Sequence, residues 1–338
     1  MPSPLRLLAL TVALLATGCD DTDGGFAGAG DLRLIVTTRS PDAVWLFDAQ
    51  TLRLALDTPT SLPAPPLEAR AGIEAGLFVV SFQDGDARAF DTPLFQEVAN
   101  GELPEGEGRS VFDPDEQRIW LADESLRGFD SRDLSPLGFP PVDLDGEATD
   151  ILHDAGTGRL FVLVTGEGGP HLRVFSAANL AEVPPSPLEL PGGGRSADLL
   201  GVPERGEILA ALPSAGLLAG FDARTLRELA RTPIEIGIPG AALARDAELE
   251  RIYVGAPDGT VIAVEGTSFA LRGGFPRRVA DSIADLGVDP VTEQLFVADS
   301  AAGEVRVLDS QTLQEVADSP LRLDGLPVSV EPVDLRGN

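Results

Sequence analysis

Beyond residue 31 the chain alternates short apolar runs with turn-forming clusters. The runs are LRLIVTT from Leu32, GLFVVSF from Gly76, QRIWLAD from Gln117, GRLFVLV from Gly158, GEILAAL from Gly206, ERIYVGA from Glu250 and EQLFVAD from Glu293. They are too short for stable helices, rich in β-branched and aromatic residues, and bounded by Gly, Asp and Pro, so they read as strands. Downstream of each comes a second phrase: an apolar residue, an acidic or small polar one, then after three positions another apolar one. Its copies are Phe47-Asp48 with Leu52, Phe90-Asp91 with Phe95, Phe129-Asp130 with Leu134, Phe175-Ser176 with Leu180, Phe221-Asp222 with Leu226, Val264-Glu265 with Phe269, and Leu308-Asp309 with Leu313. The polar members are separated by 43, 39, 46, 46, 43 and 44 residues, a period that signals a repeat architecture rather than a two-domain enzyme.

Hairpin turns such as Asp84-Gly85 and Asp258-Gly259 lie between the two phrases. In the later copies a further extended piece, such as Asp285-Leu286-Gly287-Val288, precedes the apolar run. Four strands in about 43 residues, repeated seven times, predict an all-β chain: a seven-bladed β-propeller of four-stranded antiparallel blades. The first copy begins at its second strand, and after the seventh copy one segment is left over, Leu326 to Glu331. Placed as the innermost strand of the first blade, that C-terminal strand closes the ring and removes an unpaired sheet edge.

The stretch GVDPVTEQLFVADSAAGEVRVLDSQTLQEVA, from Gly287 to Ala317, resembles the bacterial YVTN-type β-propeller repeat: a D-P turn, a strand of the LYV type followed by A-D or T-N, a glycine hairpin, then V-x-D-x-x-T-L. Other copies match in part, with Asp113-Pro114, Asp154, Asp246 and Asp289 seven residues ahead of Trp120, Phe161, Tyr253 and Phe296, while the fifth copy departs with Val202. The resemblance covers residues 32 to 335 and implies a seven-bladed propeller in the cell envelope. Propellers host many functions, so the resemblance carries little about activity.

The start of the chain has a different pattern. Arg6 precedes an uncharged, apolar run from Leu7 to Ala16, then Thr17, Gly18 and Cys19. This is the layout of an export signal, and it covers only about half of the ~20 residues a membrane-spanning helix needs. The sequence LLATGC resembles the lipobox of bacterial lipoproteins, although Ala16 stands where leucine is usual. The resemblance implies that residues 1–18 are removed and that the Cys19 thiol carries the lipid that attaches the protein to a membrane. The alternative is an ordinary small-x-small cleavage site with Cys19 a free thiol. Residues 19–31, acidic and glycine-rich, read as a flexible tether, and residues 32–338 as the propeller domain.

Composition narrows the chemistry. With 54 acidic against 25 basic side chains the formal charge is −29, which excludes a nucleic-acid partner and weakens association with anionic membrane surfaces. Every basic residue is arginine, so lysine-based P-loops, Schiff bases and serine-lysine dyads are absent. Two histidines, His153 and His171, and one cysteine exclude multi-histidine and multi-cysteine metal sites. Gly194-Arg195-Ser196-Ala197-Asp198 approaches a nucleophile elbow but ends in the wrong residue. Most of the acids fall in predicted turns and in the tether, where a carboxylate at a turn start accepts backbone hydrogen bonds.

Asp150, Asp198 and Asp285 are a more selective set. Each stands eleven residues before its strand's core position (Phe161, Leu209, Phe296), which puts it on an innermost strand beside the central channel. Three carboxylates near one axis are a candidate Ca²⁺ site, since that ion takes oxygen ligands; the competing reading has them bonded to backbone or arginine. Asp143 to Glu147 lacks the spacing of an EF-hand and reads as an acidic inter-blade turn. Arg277-Arg278 is a paired basic site, read as a solvated loop able to meet an anion or acidic partner. Three functions fit these residues. The leading one is a monomeric, lipid-anchored envelope propeller whose loops bind a protein or small ligand without catalysis. The others are a hydrolase resembling the calcium-dependent lactonase propellers, and a structural part of an envelope complex.

Overall fold

The computed structural model describes residues 32–334, except 55–58, 73–75, 84–85, 92–96, 104–107, 193, 195–196 and 290. The signal, Cys19, the tether and the Asp84-Gly85 turn lie outside the described residues. Seven separate four-stranded sheets follow one another along the chain. In each, strands a to d run outward from the axis; in blade 4 they are Glu147–Asp154, Arg159–Gly166, Gly169–Ser176 and Leu188–Glu189, all paired antiparallel. Blade 1 is built from both ends of the domain: Leu326–Asp334 is its strand a and pairs antiparallel with Leu32–Arg39, with Val330 opposite Val36 and Ser329 opposite Thr37. The ring is closed by the C-terminal strand.

The apolar runs are the b strands, which lie between two neighbours and are buried on both faces. That explains why they read as continuous hydrophobic stretches rather than strict alternation. Their side chains form seven buried clusters, one between each pair of neighbouring blades. The cluster joining blades 7 and 1 contains Phe296 and Val305 with Leu34 and Trp45, so the closing interface is packed like the other six.

The second repeated phrase is the turn from strand c to strand d. Asp48, Asp222 and Asp309 each accept the N–H and the hydroxyl of the threonine three residues on, at 2.6–2.9 Å. The apolar residue that ends the phrase has a left-handed backbone in six copies: Leu52, Leu134, Leu180, Leu226, Phe269 and Leu313, with φ between 53° and 58°. All six are buried, so packing holds an apolar side chain in a conformation that residues with a Cβ disfavour.

Arginine has a structural use at the first position of the b strands. Arg118 donates to the Ala177 carbonyl of the next blade at 2.8 Å, Arg159 to that of Ala223 at 2.7 Å, and Arg251 to that of Ser310 at 3.4 Å. His153 is not on the rim: it lies on strand a of blade 4 with its side chain 5% exposed and 3.6 Å from Asp113 of blade 3, and burial lowers its pKa. Arg277–Arg278 is likewise the exposed d strand of blade 6 rather than a loop.

Candidate functional site: the central channel

Strand a of each blade is a sheet edge, so every second N–H on it has no partner in its own blade. One position on this strand faces the channel in all seven blades: Ser329, Glu68, Arg109, Asp150, Asp198, Ala242 and Asp285, opposite Thr37, Ser81, Ala122, Leu163, Ala211, Gly255 and Ala298 of the b strands. The N–H that follows this position is met by a side chain in every blade. Ser329 Oγ accepts from Ala69 at 3.1 Å, Glu68 Oε1 from Ser110 at 2.8 Å, Asp150 Oδ2 from Leu199 at 2.7 Å, Asp198 Oδ2 from Leu243 at 2.6 Å and Asp285 Oδ2 from Val330 at 3.0 Å. Each of these bonds joins a blade to the next.

Arg109 and Ala242 cannot accept, and the blades after them supply their own acceptor: Asp150 Oδ1 takes the Ile151 N–H at 2.9 Å and Asp285 Oδ1 takes the Leu286 N–H at 2.8 Å. Five side chains thus satisfy seven edge N–H groups in a belt around the axis.

The three aspartates picked from the sequence do converge on the channel, and both of its cavities are lined by all three. Glu68 was reachable by the same count, standing eleven residues before Val79. Arg70 and Glu331 were not, because each lies two residues past the belt, on the same strand face, in one copy only. Arg70 occupies the axis. Its guanidinium is 3.4 Å from Glu68, 3.6 Å from Glu331 and 4.0 Å from Asp150, and Arg109 is 3.1 Å from Glu68.

Five carboxyl groups, Glu68 and Asp150 buried and Asp198, Asp285 and Glu331 half-buried, cannot all be ionised at ordinary cost around so few cations. Burial opposes ionisation of Glu68, yet Arg70, Arg109 and the Ser110 N–H outweigh it and its pKa falls below the usual value. Elsewhere burial wins. It raises Asp150, lifts Asp285 to about 6 and Glu331 to about 7, and, together with the adjacent Asp150 charge, drives Asp198 well above the carboxylate range. The Asp150 carboxylate beside Asp198 favours the protonated form of Asp198. The acidity of the chain is therefore not confined to turns and rim.

As arranged, the three aspartates are engaged with the backbone and with arginine. One oxygen of each aspartate accepts an N–H of the next blade, and the cation beside them is Arg70; among the described residues no three metal-ligating side chains are grouped closely enough to hold an ion. Asp143–Glu147 is the turn joining blades 3 and 4, with Leu144 buried and Asp145 3.8 Å from Arg173.

No family model and no curated protein matches the chain. Solved structures share its fold. A candidate 6-phosphogluconolactonase from Bacteroides fragilis is 13% identical over 93% of this chain and 99% of that one, with a TM-score of 0.69. A protein from Lactobacillus plantarum is 15% identical over 89% and 99%, TM-score 0.70. Kuenenia stuttgartiensis hydrazine synthase is 12% identical over 80% and 90%, TM-score 0.66. Identities this low show the β-propeller fold and nothing finer.

Proposed function

We propose that this protein is a monomeric, lipid-anchored β-propeller of a bacterial cell envelope that binds a partner protein or a small ligand and has no catalytic activity of its own. The observation that carries this reading is the state of the channel acids. They are the residues best placed for general acid-base or metal-assisted chemistry, and they are engaged in joining blades and holding Arg70, while the histidines stand apart from them. The loops at the two faces of the ring are then the surface open to recognition. The lipid on Cys19 rests on the resemblance of LLATGC to a lipobox. Chemical crosslinking followed by pull-down from membranes is expected to recover a specific partner with the parent protein. Labelled palmitate is expected to enter it and not a Cys19→Ala variant. Labelling that ignores the substitution overturns the anchor, and a pull-down matching the untagged control overturns loop-mediated protein binding.

A second reading, a calcium-dependent hydrolase of the lactonase type, draws support from the likeness in overall shape to the Bacteroides fragilis protein. It requires Ca²⁺ to displace Arg70 from Asp150, Asp198 and Asp285. Calorimetric titration of the metal-free protein with Ca²⁺ decides it: heat of binding that disappears in a triple Asn variant favours the hydrolase, and none removes it.

A further inference from the structure

The two cavities of the channel meet at Arg70 and differ in lining and charge. Arg39 and Arg109 line only the smaller, of about 260 Å³, whereas Glu331 lines only the larger, of about 480 Å³. The larger is walled by Val111, Phe112, Leu152, Leu200 and Leu286. Its floor is Asp150, Asp198, Asp285 and Glu331 around the single guanidinium of Arg70. The sequence builds this layout by strand alternation. Two residues past the belt, on the same face, stand Val111, Leu152 and Leu200 in blades 3 to 5 and Glu331 and Arg70 in blades 1 and 2, so the level beyond the acid ring is apolar along one side and charged along the other. A volume of this size with an apolar wall and a few convergent polar groups is the form of a small-molecule site.

Charge selects the class of ligand. An anion entering this cavity meets four carboxyl groups and one guanidinium. A neutral apolar molecule leaves the floor without the donors it can accept: each carboxylate oxygen has two lone pairs, and the backbone N–H groups use one. A positive ammonium supplies three donors and the missing charge together. We propose that the leucine-lined half of the channel binds a small organic cation, an amine with an aliphatic or aromatic body. The body lies along Phe112, Leu152 and Leu200, and the ammonium meets Glu331, whose side chain is 28% exposed against 6% for Asp150. Because burial holds Glu331 and Asp285 partly protonated near neutrality, a bound cation expels protons from them, and affinity rises with pH. The site is independent of the loop-mediated binding proposed above, and either can fail without the other.

Isothermal titration of the mature protein with hexylammonium, hexanoate and hexan-1-ol tests it. Hexylammonium is expected to bind one to one, with heats that depend on the buffer's ionisation enthalpy because protons are released. Its affinity is expected to increase between pH 5.5 and 8, and Glu331→Gln is expected to weaken it about tenfold by removing a charge-assisted partner. Hexanoate or hexan-1-ol binding as tightly as the amine overturns the proposal. So does unchanged affinity in a folded Glu331→Gln protein. Should that variant fail to fold, the parent's pH series decides alone, and a flat profile overturns it.

Discussion

Asp285 accepts the N–H of Val330 at 3.0 Å and so ties the last blade to the strand that completes the first. Its other oxygen holds the Leu286 N–H of its own strand at 2.8 Å. Closure of the ring therefore rests on backbone pairing in blade 1, on the packed interface between blades 7 and 1, and on one half-buried carboxylate that serves both sides of the seam.

Asp285→Ala leaves two edge N–H groups without their acceptor. With a cost of about 1–3 kcal/mol for each buried unsatisfied group, a loss of about 2–6 kcal/mol is expected in urea denaturation. Ser329→Ala removes the acceptor of the Ala69 N–H at 3.1 Å and the partner of the Thr37 hydroxyl at 2.7 Å, and is expected to cost a similar amount. Equal, negligible losses from both substitutions count against the belt as a source of stability.

A chain ending at Asp324 lacks strand a of blade 1 and with it Ser329, Val330 and Glu331. The c, d and b strands of that blade then present a new edge to the channel, and the apolar cluster shared with blade 7 loses Val330. Since whole domains have only about 5–15 kcal/mol in reserve, the truncated protein is expected not to fold as a ring. Circular dichroism and thermal melting check this, and a melting temperature equal to the parent's refutes the role of the closing strand.

The blades were legible in the sequence because a b strand buried on both faces and a turn that needs Asp, Thr and an apolar residue leave local marks in every copy. Asp150, Asp198 and Asp285 were legible for a related reason: a fixed offset from a recognisable strand fixes the face on which a residue lies. Their use was not. The N–H groups they accept from the next blade are 45 to 49 residues away, and nothing local in the sequence distinguishes an oxygen bonded to a neighbouring blade from one left open for a cation. Arg70 was invisible for the opposite reason, since it departs from the repeat in a single copy.

Acidity within the channel sets a direction for stability against pH. Between about pH 4 and 7 the folded chain keeps protons on Glu331 and Asp285 that the unfolded chain has released. Their contribution is fully present below the unfolded carboxylate pKa and is lost as pH rises through 6 and 7. Glu331→Gln mimics the protonated form and is expected to flatten that decline by about 2 kcal/mol, a figure reduced for the 28% of the side chain that meets water. Urea midpoints of parent and variant from pH 4.5 to 7.5 measure it, and parallel curves contradict the raised pKa of Glu331.

The left-handed apolar residues set two effects against each other. Leu226 has φ 57° and is 4% exposed. Glycine in its place relieves about 1–2 kcal/mol of backbone strain. It also removes a buried side chain from the cluster it shares with Phe221 and Ile208, at a cost of about 2–5 kcal/mol. Burial is the larger quantity, so Leu226→Gly is expected to destabilise by about 1–3 kcal/mol. Leu226→Ala keeps the strain and loses the packing, and is expected to be the worse of the two. Denaturation of both variants fixes the order. If glycine proves the more damaging, strain at this turn is smaller than its φ implies, and the Asp222 carboxylate with its two bonds to Thr225 is what holds the chain there.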